Sequence, residues 1–326
     1  HQVECFCLSY QSHNEGTWNE SNHEKKLIWH SKSYKGLKKL GLFTYPFLLS
    51  QKLKQYQPDI VIAASDIPHI VWGAWCAKQL KVPFIADLYD NFEGFGQARI
   101  PGMKHLLRQA VCQAQLVTTT SQPLAELVIH DYAAQAKVVS LPSTVDLTTF
   151  RSGNKSNARE RFGLLPNKQY IGTAGGLYKD KGVEVIYQAW EKLKHEMPNV
   201  HLVLAGPYQP DYPPPEEERV HYLGSLAHHE ISTLFQALDL GIISILDTPF
   251  GRYCFPQKAY EMLACDLPVV VANIGEMSYL FRDSPQVLFQ TGNANDLASK
   301  IQQQLQSPQQ QSIVVEDWAT IIERLE

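Results

Sequence analysis

Two segments in the second half of the chain combine lysine with a glycine-rich or proline-rich loop. The segment Gly172–Gly182 carries Lys181, and the segment Pro249–Val271 carries Lys258 and Glu261. Glycine lets the backbone approach a phosphate closely, and a helix N-terminus adds partial positive charge. A carboxylate one turn into the second helix is suited to binding sugar hydroxyls. We therefore predict a pocket for a nucleoside-diphosphate sugar.

Either segment also has a purely structural interpretation. The first would be a tight strand-to-helix turn with a solvated lysine, and the second a helix that buries Met262 and Leu263. The first segment lacks the Gly-x-Gly-x-x-Gly pattern of dinucleotide-binding folds, which argues against a redox enzyme. Because both segments occur in α/β units of the same half of the chain, phosphate binding is favoured over the structural alternative.

Acidic residues follow predicted strands in both halves. Asp87 and Asp90 come at the end of an apolar strand, where a carboxylate is suited to bind an acceptor hydroxyl or take its proton. Glu276 follows a strand of the second half and is suited to hold sugar hydroxyls. The alternatives are an acidic surface loop and a helix cap. We predict Asp87 and Asp90, together with Lys181 and Lys258, as the catalytic residues.

The composition narrows the functional classes. The 326 residues include 29 Lys or Arg and 33 Asp or Glu, and the net charge of −4 argues against binding of nucleic acid. The six cysteines form no Cys-x-x-Cys pair, which is typical of a reducing compartment, and the histidines show no metal-ligand spacing. No apolar run is long enough to span a bilayer. We expect a cytoplasmic protein that uses no metal and no other cofactor.

Short apolar strands alternate with helical patterns, which predicts parallel sheets covered by helices on both faces. The pattern restarts after a polar stretch near the middle of the chain. We predict an α/β fold of two doubly wound Rossmann-like domains that face a cleft, over residues 1–148 and 149–326. We expect the last helix, 312–325, to pack back on the first domain. The predicted strands are Val3–Ser9, Ile60–Ala64, Phe84–Leu88, Leu116–Thr120, Val138–Leu141, Tyr170–Ala174, Val200–Ala205, Val220–Leu223, Leu240–Ile245, Val269–Ala272 and Val287–Phe289.

The stretch Lys25–Lys54 is strongly cationic, with eight lysines and no acidic residue. It encloses the aromatic and apolar segment Gly41–Leu49. Basic residues around exposed apolar ones suit an anionic membrane surface. The alternative is a solvated helix with a buried loop. We predict a peripheral contact with the inner face of a membrane.

Five segments, in the same order along the chain, resemble motifs of the retaining glycosyltransferases of family 4. The resemblance covers nearly the whole chain and implies the GT-B architecture, with the acceptor bound by the first domain and a nucleoside-diphosphate sugar by the second. Any single motif is weak, but the ordered set is specific for the fold. The five segments are Gln57–Ala63, Leu80–Ile85, Leu141–Phe150, Leu202–Pro207 and Lys258–Val270.

The resemblance also implies roles for single residues. Glu261 would bind the ribose hydroxyls of the donor, and Lys181 would neutralise its diphosphate. Residues around Gly206 and Leu223–Gly224 would lie near the nucleobase. The complete set of predicted donor-binding residues is Gly175, Gly176, Gly206, Leu223, Gly224, Arg252, Tyr253, Glu261 and Glu276.

The chain departs from the family pattern at three places. The first glutamate of the Glu-x7-Glu signature falls at Tyr253, and the arginine of the family's Gly-Arg-Leu motif falls at Gly176. We expect Lys258 or Arg252 to supply the missing positive charge. The histidine that the family often has after the third strand of the first domain falls at Tyr89. The start at His1 resembles a point beyond the family's first strand and glycine-rich loop, so we expect both to be absent from this chain.

The resulting functional hypothesis is sugar transfer to a glycan or lipid-linked acceptor, with retention and without a metal ion. Fixed cations would stabilise the negative charge that builds on the departing diphosphate. Two alternatives stay open at this point. One is a nucleotide-sugar 2-epimerase of the same architecture, and the other is a non-catalytic partner subunit of a transferase.

Overall fold

The computed structural model describes residues 2–9, 16–22, 25–33, 40–309, 311 and 313–323, without the side chains of residues 20–26, 33 and 40–43. Within these ranges the protein is an α/β protein with two parallel sheets, each covered by helices, as the sequence predicts. Each sheet has its own hydrophobic core. No helix among the described residues is long and apolar enough to cross a bilayer.

The sheet of the second half has six parallel strands in the order β10-β9-β8-β11-β12-β13. Its central strands are buried along their whole length, as expected for strands covered on both faces. The chain winds outward from β8 to β10 and then returns to the other side of β8, so a crevice opens where β8 and β11 end. The strands are β8 (Gln169–Ala174), β9 (Val200–Ala205), β10 (Val220–Tyr222), β11 (Leu240–Ile243), β12 (Val269–Ala272) and β13 (Leu288–Phe289).

Eight helices accompany the described part of this half. The longest buries one apolar face against the sheet, including Trp190 and Leu193. They are α5 (Lys155–Arg161), α6 (Val183–Glu196), α7 (His228–Ala237), α8 (Pro249–Tyr253), α9 (Lys258–Ala264), α10 (Gly275–Leu280), α11 (Ala294–Gln306) and α12 (Trp318–Glu323).

The first half contains a parallel sheet of four strands in the order β4-β5-β6-β7. Asp66 and Ser121 start two of its helices, each accepting a hydrogen bond from a backbone N–H of the first turn. The strands are β4 (Val61–Ala63), β5 (Phe84–Leu88), β6 (Leu116–Thr119) and β7 (Lys137–Ser140), and the helices of this half are α1 (Leu40–Tyr56), α2 (Ile67–Leu80), α3 (Met103–Val111) and α4 (Gln122–His130).

A separate sheet lies at the start of the chain. The strand β1 (Gln2–Ser9) pairs in parallel with β3 (Lys25–Ser33), which pairs antiparallel with β2 (Gly16–Asn22). The sequence prediction found β1 but missed β2 and β3, because their many polar residues hide the strand pattern. The expectation of an absent first strand concerns residues before His1 and stays a prediction.

The cationic stretch Lys25–Lys54 is not the single unit that the sequence suggested. Its first nine residues form β3, and its last part lies in α1, while residues 34–39 fall outside the described ranges. The predicted apolar segment is therefore helical. Within it, Tyr45 is buried and Phe47 is 73% exposed, so the segment is divided between core and surface rather than wholly exposed.

The prediction of a last helix over 312–325 was wrong about its start. Residues 313–317 are not helical, and α12 begins at Trp318. The reason is a helix cap, since Asp317 accepts a hydrogen bond from the backbone N–H of Thr320 at 2.8 Å. Just before it, Thr144 donates a hydrogen bond to the carbonyl of Glu316. The packing of α12 on the first domain stays a prediction.

Two histidines on neighbouring strands share a hydrogen bond inside the second half. The rings of His201 and His221 stack 5.2 Å apart, and His201 Nδ1 lies 2.9 Å from His221 Nε2. Burial, and after it the proximity of His221, lowers the pKa of His201 to about 4. Burial also lowers the pKa of His221. Both rings are therefore held neutral at physiological pH.

Acid should destabilise the protein through this pair. The unfolded chain binds protons at the ordinary histidine pKa of 6.5, whereas folded His201 binds one only near 4. The free energy of unfolding should therefore fall as the pH drops from 6.5 towards 4, by about 2 kcal/mol. Denaturant titrations across this range should show a smaller loss in His201→Gln and an unchanged loss in His195→Gln, which alters an exposed histidine. Equal losses in all three proteins would contradict this.

Candidate active site

The loop after β8 brings Lys181 to the crevice at the switch of strand order. Gly175 has a φ of 110°, and Gly182, which precedes α6, has a φ of 74°, both in the left-handed region that glycine favours. Ser244, just beyond β11, donates a hydrogen bond of 3.0 Å to the carbonyl of Gly182. Lys181 therefore sits where β8 and β11 end, which is the usual ligand position in such a sheet.

Lys258, the first residue of α9, meets the same loop. A Cβ added to Gly175 would lie 3.7 Å from Lys258 Nζ, in ordinary van der Waals contact. Burial, followed by the positive charge of Lys181, lowers the pKa of Lys258 to about 8. The structure thus brings together the two lysines predicted as catalytic, and they repel each other when no anion lies between them. Because α9 has only seven residues, the lysine side chains rather than its helix dipole are the main source of positive charge.

The space beside Gly176 is taken by an aromatic ring. A Cβ at Gly176 would lie 2.5 Å from the ring of Tyr178, so a larger residue would require that ring to move. Lys181 Nζ lies 5.9 Å from the centre of the same ring. Of the two residues expected to replace the family's arginine, Arg252 is exposed and pairs with Asp247. Lys258 is the cation that adjoins the Gly175 loop.

Glu261 lies one turn beyond Lys258 on α9 and is largely enclosed. Burial raises the pKa of Glu261, against the lowering influence of His228 and Lys258. Its carboxylate is therefore partly shielded from solvent and interacts electrostatically with Lys258. This position fits the predicted contact with donor hydroxyls, which stays a prediction.

The loops predicted near the nucleobase also meet. A Cβ at Gly206 would lie 2.1 Å from the carbonyl oxygen of Gly175, so only glycine fits where the loops after β8 and β9 touch. Gly206 donates a hydrogen bond of 2.7 Å to the carbonyl of Gly224, and Tyr222 donates one of 2.9 Å to the carbonyl of Gly206. Leu223 donates from its backbone to β9. Gly175, Gly206 and Gly224 thus form one connected backbone surface, which we call the ledge.

Two acidic residues of the first half were predicted as catalytic, and one of them, Asp90, acts on a residue of the second domain beside this site. Burial raises the pKa of Asp87, although Thr118 donates a hydrogen bond of 2.6 Å to it. Burial likewise raises the pKa of Asp90. Burial and then the charge of Asp90 raise the pKa of Cys254 to about 12, and the charges of Lys181 and Lys258 oppose this rise. The pKa of this buried thiol is therefore affected by charges from both domains.

Two residues predicted to bind the donor instead contact the first domain. Glu276 accepts a hydrogen bond of 2.7 Å from the backbone N–H of Gln122, at the start of α4. The carbonyl of Tyr253 accepts one of 2.6 Å from Ser121, and its side chain packs against the first core. The two domains are thus joined directly beside the site. The donor roles of Glu276 and Tyr253 stay predictions.

Sequence reasoning missed three residues that shape this region. Tyr178 and Cys254 carry no motif, so nothing in the sequence pointed to them. Ser121 precedes Gln122 and a proline, which is a typical helix start, but its contact with the other domain has no signal in sequence.

The arrangement is suited to stabilising a diphosphate. Two lysines converge from one domain, a half-buried carboxylate flanks them, and acidic residues of the other domain lie opposite. Among the described residues, no cluster of three or more His, Cys, Asp or Glu could hold a metal ion.

Family models match both halves of the chain. Residues 1–149 match the model described as glycosyltransferase family 4, and residues 168–307 match the model described as glycosyl transferases group 1.

Two curated relatives illustrate the matches. A D-inositol 3-phosphate glycosyltransferase of Mycobacterium marinum is 27% identical over 202 residues, covering 58% of this chain and 41% of the relative. An alpha-monoglucosyldiacylglycerol synthase of Streptococcus pneumoniae is 23% identical over 249 residues, covering 71% and 55%. The chain spans about half the length of these relatives.

The fold resembles a solved structure from Anabaena. Alr3699/HepE in complex with UDP superposes with a TM-score of 0.74 at 20% identity, covering 91% of this chain and 84% of that one. The same Anabaena protein has been solved with UDP-glucose.

The depressed pKa of Lys258 predicts how an anion should bind. Above pH 8 the free protein holds this lysine partly neutral, so an anion that needs its charge must bind together with a proton. The affinity for inorganic pyrophosphate should therefore weaken from pH 7.5 to 9.5 more steeply in the wild type than in Lys258→Gln. Calorimetric titrations measure this, and the titration of the ligand itself cancels in the comparison. The variant Lys192→Gln, at an exposed lysine, should follow the wild type; identical pH profiles for wild type and Lys258→Gln would contradict the prediction.

Proposed function

Because the chain belongs to the glycosyltransferases of family 4 and has their GT-B fold, we propose that the protein transfers a sugar from a nucleoside-diphosphate donor to a glycan or lipid-linked acceptor. The second domain holds the donor and the first domain holds the acceptor. The observation that carries this proposal is the convergence of Lys181 and Lys258 at the carboxyl edge of the second sheet, opposite Asp90.

The lysine pair explains how the protein lowers the activation barrier of the reaction. Breaking the bond between the sugar and the diphosphate builds negative charge on the leaving group. Two fixed cations in a sheltered site stabilise this charge without reorganising, and removing one such group typically costs about 10²–10³ in rate. Before the donor binds, the cations repel each other, so the diphosphate also relieves strain between Lys181 and Lys258.

Uracil is the base that we propose for the donor. The Anabaena protein was solved with UDP, and the ledge of Gly206 and Gly224 lies where the base of such a ligand is expected. Tyr208 and Tyr222 are partly exposed beside it and contact each other edge to face at 5.6 Å. Glu261 is placed for the ribose hydroxyls.

Retention and independence from metal belong to the same proposal. With Lys181 and Lys258 supplying the charge, the reaction needs no divalent cation at the diphosphate. The acceptor hydroxyl attacks from the face that the diphosphate leaves, and its proton passes to the departing phosphate. The sugar–oxygen bond to the acceptor forms as the bond to the diphosphate breaks, so the configuration at the anomeric carbon is kept.

Replacing Lys181 with alanine should abolish most of the transfer activity while leaving the fold intact. We expect a loss of about 10²–10³ in rate for release of UDP from UDP-sugars in the presence of acceptors, because one transition-state cation is lost. The melting temperature should change little, since Lys181 is partly solvated. Lys192→Ala is the matched control and should keep full activity. Near-normal turnover in Lys181→Ala would remove this residue from the mechanism.

The same assay separates the alternatives. Formation of an epimer from donor alone would identify a 2-epimerase, and nucleotide binding without any turnover would identify a non-catalytic partner. Proton NMR of the product should show the donor's anomeric configuration, and EDTA should leave the rate unchanged. An inverted product or a loss of activity in EDTA would overturn the corresponding part of the proposal.

We further propose that α1 contacts an anionic membrane surface, which suits a peripheral enzyme at the inner face of a membrane. Phe47 is 73% exposed and Leu48 44% exposed on neighbouring positions of the helix, and Lys52 and Lys54 are exposed in its later turns. Apolar side chains that can insert, next to cations that can pair with anionic lipids, are the two features that such binding needs. The lipid named for the Streptococcus relative is in keeping with this proposal.

Vesicle binding should depend on both the apolar and the charged part of α1. In co-sedimentation, binding to vesicles with anionic lipid should exceed binding to neutral vesicles and should weaken at high salt. Phe47→Ser and Lys52→Glu should each reduce binding several-fold. Leu165→Ser removes an equally exposed apolar side chain from the second domain and should not. Binding that is indifferent to lipid charge and to both α1 variants would refute the surface.

A further inference from the structure

A histidine oriented by a buried carboxylate lies at the carboxyl end of β4. Asp66 is 5% exposed and precedes α2, and its Oδ1 accepts hydrogen bonds from the backbone N–H of His69 at 3.0 Å and from His69 Nδ1 at 2.6 Å. A carboxylate can only accept, so Nδ1 carries the proton. In the neutral ring this leaves Nε2 as an acceptor. Among the described residues nothing hydrogen-bonds to Nε2, and 15% of the side chain is open to solvent.

Further polar groups surround the Asp66–His69 pair. Gln97 donates a hydrogen bond of 2.9 Å to the second oxygen of Asp66. Burial alone would raise the pKa of Asp66, but the hydrogen bonds that it accepts from His69 and Gln97 hold this pKa below its ordinary value. Gln97 Oε1 and Tyr45 OH are buried next to the pair, and neither has a hydrogen-bond partner in the described part of the chain. These two buried oxygen atoms beside the Asp66–His69 pair are therefore still able to form hydrogen bonds that no described residue supplies.

The Asp66–His69 pair lies beside the cleft between the domains rather than on the outer surface. Tyr89 donates a hydrogen bond of 3.0 Å to the carbonyl of Ser65, which joins the end of β5 to the end of β4. The next residue, Asp90, acts on the thiol of Cys254 in the second domain, beside the lysine pair. His69 therefore lies along the same edge of the first sheet as the acid that faces the diphosphate site.

The helix that covers the Asp66–His69 pair is α1. The rings of Tyr45 and Trp72 lie 6.0 Å and 5.5 Å from that of His69 and 5.6 Å from each other, so the three rings form one cluster. Phe47 and Leu48, two and three residues after Tyr45, are exposed on the surface of the same helix. A molecule with a hydroxylated head and an apolar tail would thus find both kinds of contact near one helix.

We propose that His69 binds a hydroxyl group of the acceptor through Nε2 and that Asp66 is the positioning residue that fixes the ring for this contact. The inference rests on the proposed transferase function and deepens it, because it names a polyhydroxylated headgroup as the part of the acceptor held by the first domain. No proton transfer by His69 is involved. The hydrogen bond aligns the acceptor for attack on the donor sugar.

Two conservative variants isolate the contact. The amide of His69→Asn can still donate to Asp66 but lacks the distal nitrogen, so it should keep the fold and lose the acceptor contact. Asp66→Asn keeps a good helix cap while removing the carboxylate that selects the ring tautomer. His105→Asn, at an exposed histidine of α3, is the matched control.

The experiment is a titration followed by long-range proton–nitrogen NMR on protein with labelled histidines. The probes are D-glucose, myo-inositol and glycerol, each added to wild-type protein with and without UDP, and the His69 signals are assigned by their absence in His69→Asn. The neutral form of His69 should be the Nδ1–H tautomer, and at least one polyol should move its Nε2 resonance in a saturable way. The dissociation constant of that polyol, measured by calorimetry in both proteins, should rise about fivefold in His69→Asn, the usual effect of losing one neutral hydrogen bond. Asp66→Asn should shift the tautomer ratio, and His105→Asn should change neither.

Failure of this inference is distinguishable from failure of the proposed function. If the protein binds UDP but no polyol moves the His69 resonances, the acceptor contact is wrong and the transferase proposal stands. If UDP does not bind at all, the transferase proposal fails whatever the histidine does. A polyol affinity, measured by calorimetry, that is the same in His69→Asn as in the wild type would also overturn the inference.

Discussion

Two like charges held close together in a sheltered place are the constraint on which the site depends. Lys181 comes from the loop after β8 and Lys258 from the start of α9, and burial together with mutual repulsion lowers the pKa of Lys258 to about 8. Such an arrangement costs stability, because the ammonium group of Lys258 loses water and has a like-charged neighbour. The arrangement becomes favourable once an anion lies between the two lysines. The fold therefore positions the positive charge that a diphosphate needs before the diphosphate binds.

The surrounding structure leaves no free space for an arginine at Gly176. An arginine at Gly176 would displace the ring of Tyr178, which occupies that space and lies under Lys181. The second cation instead comes from Lys258, which approaches Gly175 from the other side. The hydrogen bonds between domains lie beside it, so the position of the first domain is tied to the site that it faces.

The sequence predicted much of this, and the reasons for its failures are physical. Continuous buried strands leave a clear pattern, so the second sheet was predicted correctly. The sequence also predicted that Lys181 and Lys258 lie at one site, and the structure brings them together. The strands β2 and β3 were missed because pairing with each other and with β1, rather than apolar periodicity, makes them strands. Glu276 carried the signal of a ligand residue, yet its hydrogen bond to Gln122 depends on how two domains meet, which no local pattern encodes.

The pKa of Lys258, measured by NMR of labelled lysine side chains, reports whether Lys181 and Lys258 share one site. The account predicts a value near 8 in the free wild-type protein. It predicts a rise towards the ordinary lysine value in Lys181→Met, where the repulsion is gone, and a rise in the wild type when pyrophosphate is added. An ordinary pKa for Lys258 that neither the variant nor pyrophosphate changes would contradict the account.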